Sequence, residues 1–243
     1  MYTIAEDNHK SLIDNLKTRG IIDDDDVYNT MLQVDRGRYI KENPYVDTPV
    51  YISHGKDKDR DRHRDRDRYR HRHRDRHRDR HRERERVRDR DRDRDRDRER
   101  MGTRSGSGYL TVCMAIRTNV LENKNSFVIG LERVKDVVNF SLENIKRDKP
   151  ELLNIENFKI LHKNIYKVDE QEKKDLGLFD AIHVGASASE LPDILVDLLA
   201  EGGKLIIPLE EGSTQVLYEI TKKNGKIVKD RLFDVCFVTL KKN

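Results

Sequence analysis

The 243-residue chain has no tryptophan, two cysteines, five prolines and few aromatic residues. Cys113 and Cys236 are too few for a disulfide framework or a four-thiolate zinc site, and they fit a reducing compartment, the cytoplasm. No apolar run approaches the roughly 20 residues a membrane helix needs. Met1 to Asp7 lacks the basic-then-apolar order of a secretory leader. No membrane partner is therefore expected. The chain also lacks a Gly-Lys-Ser/Thr phosphate loop, a His/Cys/Asp cluster with metal-ligand spacing and a Ser/His/Asp set. Neither a metal nor a side-chain nucleophile is expected.

What the chain has in excess is charge: Asp, Glu, Lys and Arg make up 40% of it, with a net of +4. The excess sits in one tract, residues 56–100, with 21 Arg, 2 Lys, 15 acidic residues and 5 His for a net of +8. Its apolar residues are Tyr69 and Val87. The other 198 residues carry 27 basic and 31 acidic groups, a net of −4, and about half of them are apolar once glycine is included. The basic balance belongs to the tract, so a basic nucleic-acid-binding globule is excluded. In the tract Arg recurs at even positions, and a helix would place like charges at i and i+4. With no apolar face to offset chain entropy, residues 56–100 are expected to be disordered.

The flanking segments carry structural periodicity. Leu12, Ile13 and Leu16 share a helical face over residues 8–19, with Gly20 as the stop; Asp23 to Asp26 head a second helix bearing Val27, Met31 and Val34. From Met101 onward strands and helices alternate. Gly106-Ser107-Gly108 opens a helix with Tyr109, Cys113, Ile116 and Val120 on one face. Residues 126–131, 158–161, 178–184, 204–208, 215–221 and 232–240 read as strands, the last two antiparallel across Asn224-Gly225. Val134, Val138, Leu142 and Ile145 stripe one helix; Leu191, Ile194, Leu195 and Leu198 stripe another, stopped by Gly202-Gly203. This pattern predicts an α/β fold with a doubly wound, mostly parallel sheet. Three parts follow: residues 1–55, the tract 56–100, and 101–243.

Gly106 and Gly108 at a helix start can be a plain turn or can let a ligand approach backbone N–H groups. Glu132 lies just past a strand, 24 residues beyond Gly108. An acidic side chain there can accept from ribose hydroxyls, or simply face solvent. Together the two features favour a ligand containing adenosine. Asn164, at the end of the next strand, suits an adenine edge, although a turn is the commoner role for such an Asn. His183, on an apolar strand, reads as a satisfied core histidine rather than a base.

Several stretches then carry a resemblance: Asp35-Arg36 to Tyr39, Asn43-Pro44-Tyr45, Asp47-Thr48-Pro49, Arg104-Ser105-Gly106-Ser107-Gly108-Tyr109-Leu110-Thr111, Asp180-Ala181-Ile182-His183-Val184-Gly185-Ala186, and Gly202-Gly203-Lys204-Leu205-Ile206-Ile207-Pro208. Over residues 8–55 and about 104–243 the chain resembles the protein-L-isoaspartate (D-aspartate) O-methyltransferases, class I S-adenosylmethionine-dependent enzymes with a Rossmann-like fold. The resemblance implies methyl transfer to the carboxylate of isoaspartyl residues in damaged proteins, by a monomer. It implies that Ser105, Gly106, Ser107 and Gly108 hold the cofactor's amino-acid end. Glu132, with Arg133 beside it, would take the ribose, Asn164 and Ile165 the adenine side, and Val184 and Ala186 the substrate.

The tract departs from that pattern. It stands where the resemblance implies a substrate loop followed by the first, central strand, and Arg104 stands where the loop has its first glycine. Buried on both faces, a central parallel strand cannot be made of alternating Arg and acid. The expectation is therefore a sheet without its middle strand, and a chain that neither folds stably nor methylates. The alternative reading is a non-catalytic RNA-associated protein acting through weak phosphate contacts of residues 56–100.

Overall fold

The structure, a computed structural model, describes residues 6–46, 99–103 and 105–242. It opens with helices α1 (His9–Thr18) and α2 (Asp25–Leu32). Each starts at a polar cap: the Asn8 side chain accepts from the Ser11 N–H, and Asp24 from that of Val27. Leu12, Ile13 and Ile22 close a small core beneath them. A 3-10 turn, Arg36–Arg38, follows under Asp35, whose Oδ1 accepts from the Gly37 N–H (2.8 Å) and the Tyr45 hydroxyl (3.1 Å). A Cβ on Gly37 would stand 2.4 Å from that hydroxyl, so any larger residue would have to push the Tyr45 ring aside.

The remaining elements are β1 (Glu99–Thr103), α3 (Tyr109–Arg117), β2 (Phe127–Glu132), α4 (Lys135–Asp148), β3 (Phe158–His162), α5 (Glu170–Leu176), β4 (Phe179–Val184), α6 (Asp193–Asp197), β5 (Leu199–Glu211), β6 (Thr214–Lys223) and β7 (Lys226–Val235). They form one seven-stranded sheet in the order β3-β2-β1-β4-β5-β6-β7. Pairings from β3 through β5 are parallel; β6 and β7 each pair antiparallel with the strand before. One face packs Val112, Cys113 and Ala115 of α3 and Ile145 of α4 against Val128 and Phe158. On the other, Leu195 of α6 and Leu198 join Met101, Ile129, Ile182 and Leu205. The sheet is thus covered on both sides, as the alternating pattern predicts.

The central strand is present, which overturns the expectation that the tract had displaced it. β1 begins at Glu99, two residues inside the charged tract, and pairs in parallel with both β2 and β4. Met101 lies opposite Ile129 and Ile182, Thr103 opposite Leu131 and Val184. Met101 and Thr103 are buried and Arg100 is partly exposed. The sequence reading demanded a longer apolar run than the slot requires: Met101, Gly102 and Thr103 suffice to fill its carboxyl half. The rest of 56–100, and Arg104, lie outside the described residues.

Three boundaries also differ. β5 starts at Leu199, so Gly202-Gly203 sits inside a strand rather than ending a helix. Phe179 pairs with Leu199 but Ala181 with Lys204, and the extra β5 residues are taken up in a bulge where Gly202 has φ 79°. β7 runs over residues 226–235, earlier than the apolar run at 232–240. Asn224 and Gly225, both at positive φ, make a two-residue turn that pairs Lys223 with Lys226 and starts the strand at once. α3 ends at Arg117, leaving Val120 in the following turn, and buries Thr111, Val112, Cys113 and Ala115.

Candidate functional site

A cavity of about 220 Å³ opens at the carboxyl ends of β1 and β4, the point where the chain crosses from one half of the sheet to the other. Thr103 and His183 at the strand ends, Ser105 and Ser107 on a loop wall, and Arg36 and Ile40 on a wall from the N-terminal segment all line it. Tyr109, Leu110, Thr111 and Met114 of α3 complete the lining. The loop between β1 and α3 is folded by its glycines: Gly106 and Gly108 have φ of 57° and 87°, and the Gly108 N–H closes a turn on the Ser105 carbonyl at 3.0 Å. A Cβ on Gly108 would come within 3.2 Å of the Ser141 Cβ, so the loop presses directly on α4.

Polar groups in this cavity are left open in two ways. Among the described residues the buried hydroxyls of Thr103 and Ser105 have no hydrogen-bond partner, although buried hydroxyls are almost always paired. α3 starts at Gly108 with no side-chain cap, so its first-turn N–H groups are available to a ligand's anionic end. The donor set therefore fits the amino-acid end of an adenosyl cofactor. His183 is half-buried, with no hydrogen-bond partner among the described residues, and burial pushes its pKa down to about 4. It is a neutral cavity residue, not the satisfied core histidine expected. Burial likewise pushes the Cys113 thiol up to about 12, which leaves it an inert part of the core.

Of the residues singled out from the sequence, Ser105 and Ser107 line the cavity. Gly106 and Gly108 shape the loop behind it. Glu132, buried at the end of β2, accepts from the Gly106 N–H (3.4 Å) and the Val134 N–H (3.1 Å), so it braces the loop. The carbonyl of the adjoining Arg133 meets His162 Nε2 at 3.0 Å. Asn164 caps a 3-10 turn through Tyr166 and donates to the Lys241 carbonyl at 3.3 Å; Ile165 is buried in the main core. Val184 and Ala186 are fully buried. Arg36, Ile40, Thr103 and the first turn of α3 were missed. Arg36 lies within the Asp35–Tyr39 stretch already singled out and Ile40 directly follows it, whereas nothing in the sequence brings that stretch to the β1–α3 loop.

The model of the protein-L-isoaspartate(D-aspartate) O-methyltransferase family matches residues 7–59 and 99–243. A protein-L-isoaspartate O-methyltransferase of Caenorhabditis elegans is 30% identical over 233 residues, 96% of this chain and 92% of that one. The chain belongs to this family. A second relative, protein-L-isoaspartate O-methyltransferase 1 of Arabidopsis thaliana, is 29% identical over 83% of this chain and 77% of its own. Among solved structures, a Plasmodium falciparum chain assigned as a protein-L-isoaspartate O-methyltransferase, in complex with S-adenosyl-L-homocysteine, is 69% identical, with a TM-score of 0.80 and coverage of 98% of this chain and 100% of that one. Another protein-L-isoaspartate O-methyltransferase structure, at 17% identity, TM-score 0.65 and coverage of 95% of this chain and 65% of that one, shows the same fold. The fold is that of class I S-adenosylmethionine-dependent methyltransferases, and S-adenosylmethionine is the family's methyl donor. The reading as a non-catalytic RNA-associated protein finds no support.

Proposed function

We propose that this isoaspartate methyltransferase holds its cofactor in the cavity at the carboxyl ends of β1 and β4. The observation that carries this is the pair of buried, unpartnered hydroxyls on Thr103 and Ser105. An unsatisfied buried hydroxyl costs about 1–3 kcal/mol, a penalty that a polar ligand relieves. Ser105, Gly106, Ser107 and Gly108, with the open first turn of α3, would take the amino-acid end. Each Glu132 oxygen accepts one N–H and keeps a lone pair, enough for two ribose hydroxyls. Arg133 stands beside it; Asn164 and Ile165 would flank the adenine, and the backbone at Val184 and Ala186 would face the substrate.

When bound, S-adenosylmethionine supplies an electrophilic methyl on a positively charged sulfur. The acceptor carboxylate is ionised at neutral pH, so the protein has no proton to remove. Its task is to align donor and acceptor and exclude water. Neutral His183 adds no like charge beside a sulfonium. The protein should act as a cytoplasmic monomer. Two free cysteines fit a reducing compartment, and no helix among the described residues is long and apolar enough to cross a membrane. Light scattering tests the oligomeric state. The weak RNA contact expected of residues 56–100 rests on their charge alone; filter binding at low and moderate salt tests it.

Titration calorimetry with S-adenosyl-L-homocysteine on wild type, Thr103→Val and Ser105→Ala tests the site. Each substitution should weaken binding about tenfold, the loss of roughly one good hydrogen bond. Unchanged affinity in both would move the cofactor elsewhere. A peptide with one isoaspartyl residue should be methylated and its aspartyl isomer left untouched.

A further inference from the structure

The cavity's two walls come from parts of the chain far apart in sequence, and one side chain behind them touches both. Asn144, on α4, is 1% exposed and lies outside the cavity lining. Its Nδ2 donates to the Ser107 carbonyl at 3.0 Å and to the Tyr39 carbonyl at 3.2 Å. Ser107 belongs to the loop wall; Tyr39 lies in sequence between Arg36 and Ile40, which line the N-terminal wall. The amide is itself held, because Arg147 Nη2 donates to Asn144 Oδ1 at 2.7 Å and also to the Arg38 carbonyl. A carboxamide is the short side chain with two donors and an acceptor on one planar head. Leucine has neither, and aspartate would set an acceptor against two carbonyls.

We propose that Asn144 is a positioning residue for the cofactor, fixing the separation of the two walls through one amide without touching the ligand. The inference rests on the reading that this cavity takes S-adenosylmethionine. Other contacts bear on the walls as well: the Tyr39 ring meets that of Tyr109 edge-on, with centroids 5.7 Å apart, but this is packing and not a hydrogen bond to the loop backbone. The Tyr39 hydroxyl donates to Asp148 at 2.9 Å and Arg38 pairs with the same carboxylate at 3.3 Å, but neither reaches the loop. Loss of Asn144 removes the hydrogen bonds that join the loop backbone to the N-terminal segment, leaving packing alone between them, so more of their relative order must be supplied on cofactor binding.

Asn144→Leu should weaken S-adenosyl-L-homocysteine binding about tenfold in calorimetry. It should raise the KM for S-adenosylmethionine to the same extent, while kcat at saturating cofactor changes less than threefold. Leu152→Ala opens a cavity in the same core without removing either hydrogen bond; it should lower Tm and leave the Kd unchanged. Should Asn144→Leu not fold, Asn144→Ser takes its place with the same readouts. In unmutated protein, the Asn144 side-chain amide protons should exchange at least tenfold more slowly once S-adenosyl-L-homocysteine is bound. A wild-type Kd in the folded Asn144 variant, or unchanged amide exchange, overturns the proposal. If Thr103→Val and Ser105→Ala also bind normally, the cavity assignment fails with it; if those two weaken binding and Asn144→Leu does not, only the positioning role falls.

Discussion

His183 shows how a single side chain can be read wrongly by type and correctly by environment. An apolar strand suggested a histidine satisfied in the core, but the ring lies on a cavity wall without a partner among the described residues. Its pKa of about 4 has one cause, burial, which disfavours the charged form. Between pH 6.5 and 4 the unfolded chain binds a proton that the folded chain refuses, so this stability is complete above pH 6.5 and is lost as pH falls through the window. The loss is on the order of 3 kcal/mol once both states are protonated. Urea unfolding of wild type and His183→Gln at pH 7, 6, 5 and 4.5 measures it. The variant should gain on wild type as pH falls, and a difference constant with pH would mean that the folded state protonates as readily as the unfolded one. The glycines, by contrast, were legible as residues. Gly106 and Gly108 adopt the left-handed conformations that a tight loop needs; Gly130 on β2, which was not singled out from the sequence, faces Ser105 so closely that a Cβ would stand 3.0 Å from the Ser105 Cβ.

Elements with a full hydrophobic period were legible from the sequence, and those specified by a turn or by a neighbour were not. The strands at 127–132, 158–162 and 179–184 lie within a residue of expectation because each carries a short apolar run; the first and last are interior strands, and the second, at the sheet's edge, buries Phe158. β1 was missed because half of it belongs to a charged repeat, and two flanking strands, not its own composition, define its place. α5 buries no residue and is announced only by its Asp169/Glu172 capping box. The apolar residues at 237–240 looked like strand but form a C-terminal tail beside the loop after β4. There the Ser187 N–H donates to the Val238 carbonyl at 2.8 Å and the Leu240 N–H to the Ser187 carbonyl at 2.6 Å. Farther along, Asn164 reaches Lys241, and Lys242 pairs with Glu190 at 3.2 Å. The tail thus joins the ends of β3 and β4 from outside. Ending the chain at Cys236 should cost on the order of 1–3 kcal/mol, since water replaces part of what is lost. Exchange of the Ser187 amide should speed up at least tenfold. An unchanged denaturation midpoint would show that the tail contributes nothing to the fold.

At the scale of the whole molecule, the family match falls into two segments, residues 7–59 and 99–243, with most of the charged tract between them. Among the described residues β1 is placed by its pairings with β2 and β4, and the N-terminal segment is fixed by Tyr39, Arg38 and Asn144. We therefore expect residues 60–95 to be dispensable. Their removal leaves about 16 residues between Val46 and Glu99, able to span roughly 55 Å fully extended. Closing a loop of about 16 residues rather than about 52 costs roughly 1 kcal/mol less in chain entropy. The shortened chain should therefore be more stable than the full one by about that amount in urea. Its S-adenosyl-L-homocysteine affinity and its turnover of an isoaspartyl peptide should stay within twofold of the full chain, because neither the cavity nor the matched family segments are touched. If it melts lower, or binds cofactor more weakly, the tract contributes to the folded domain, and the boundary we place inside the repeat, just before Glu99, is wrong.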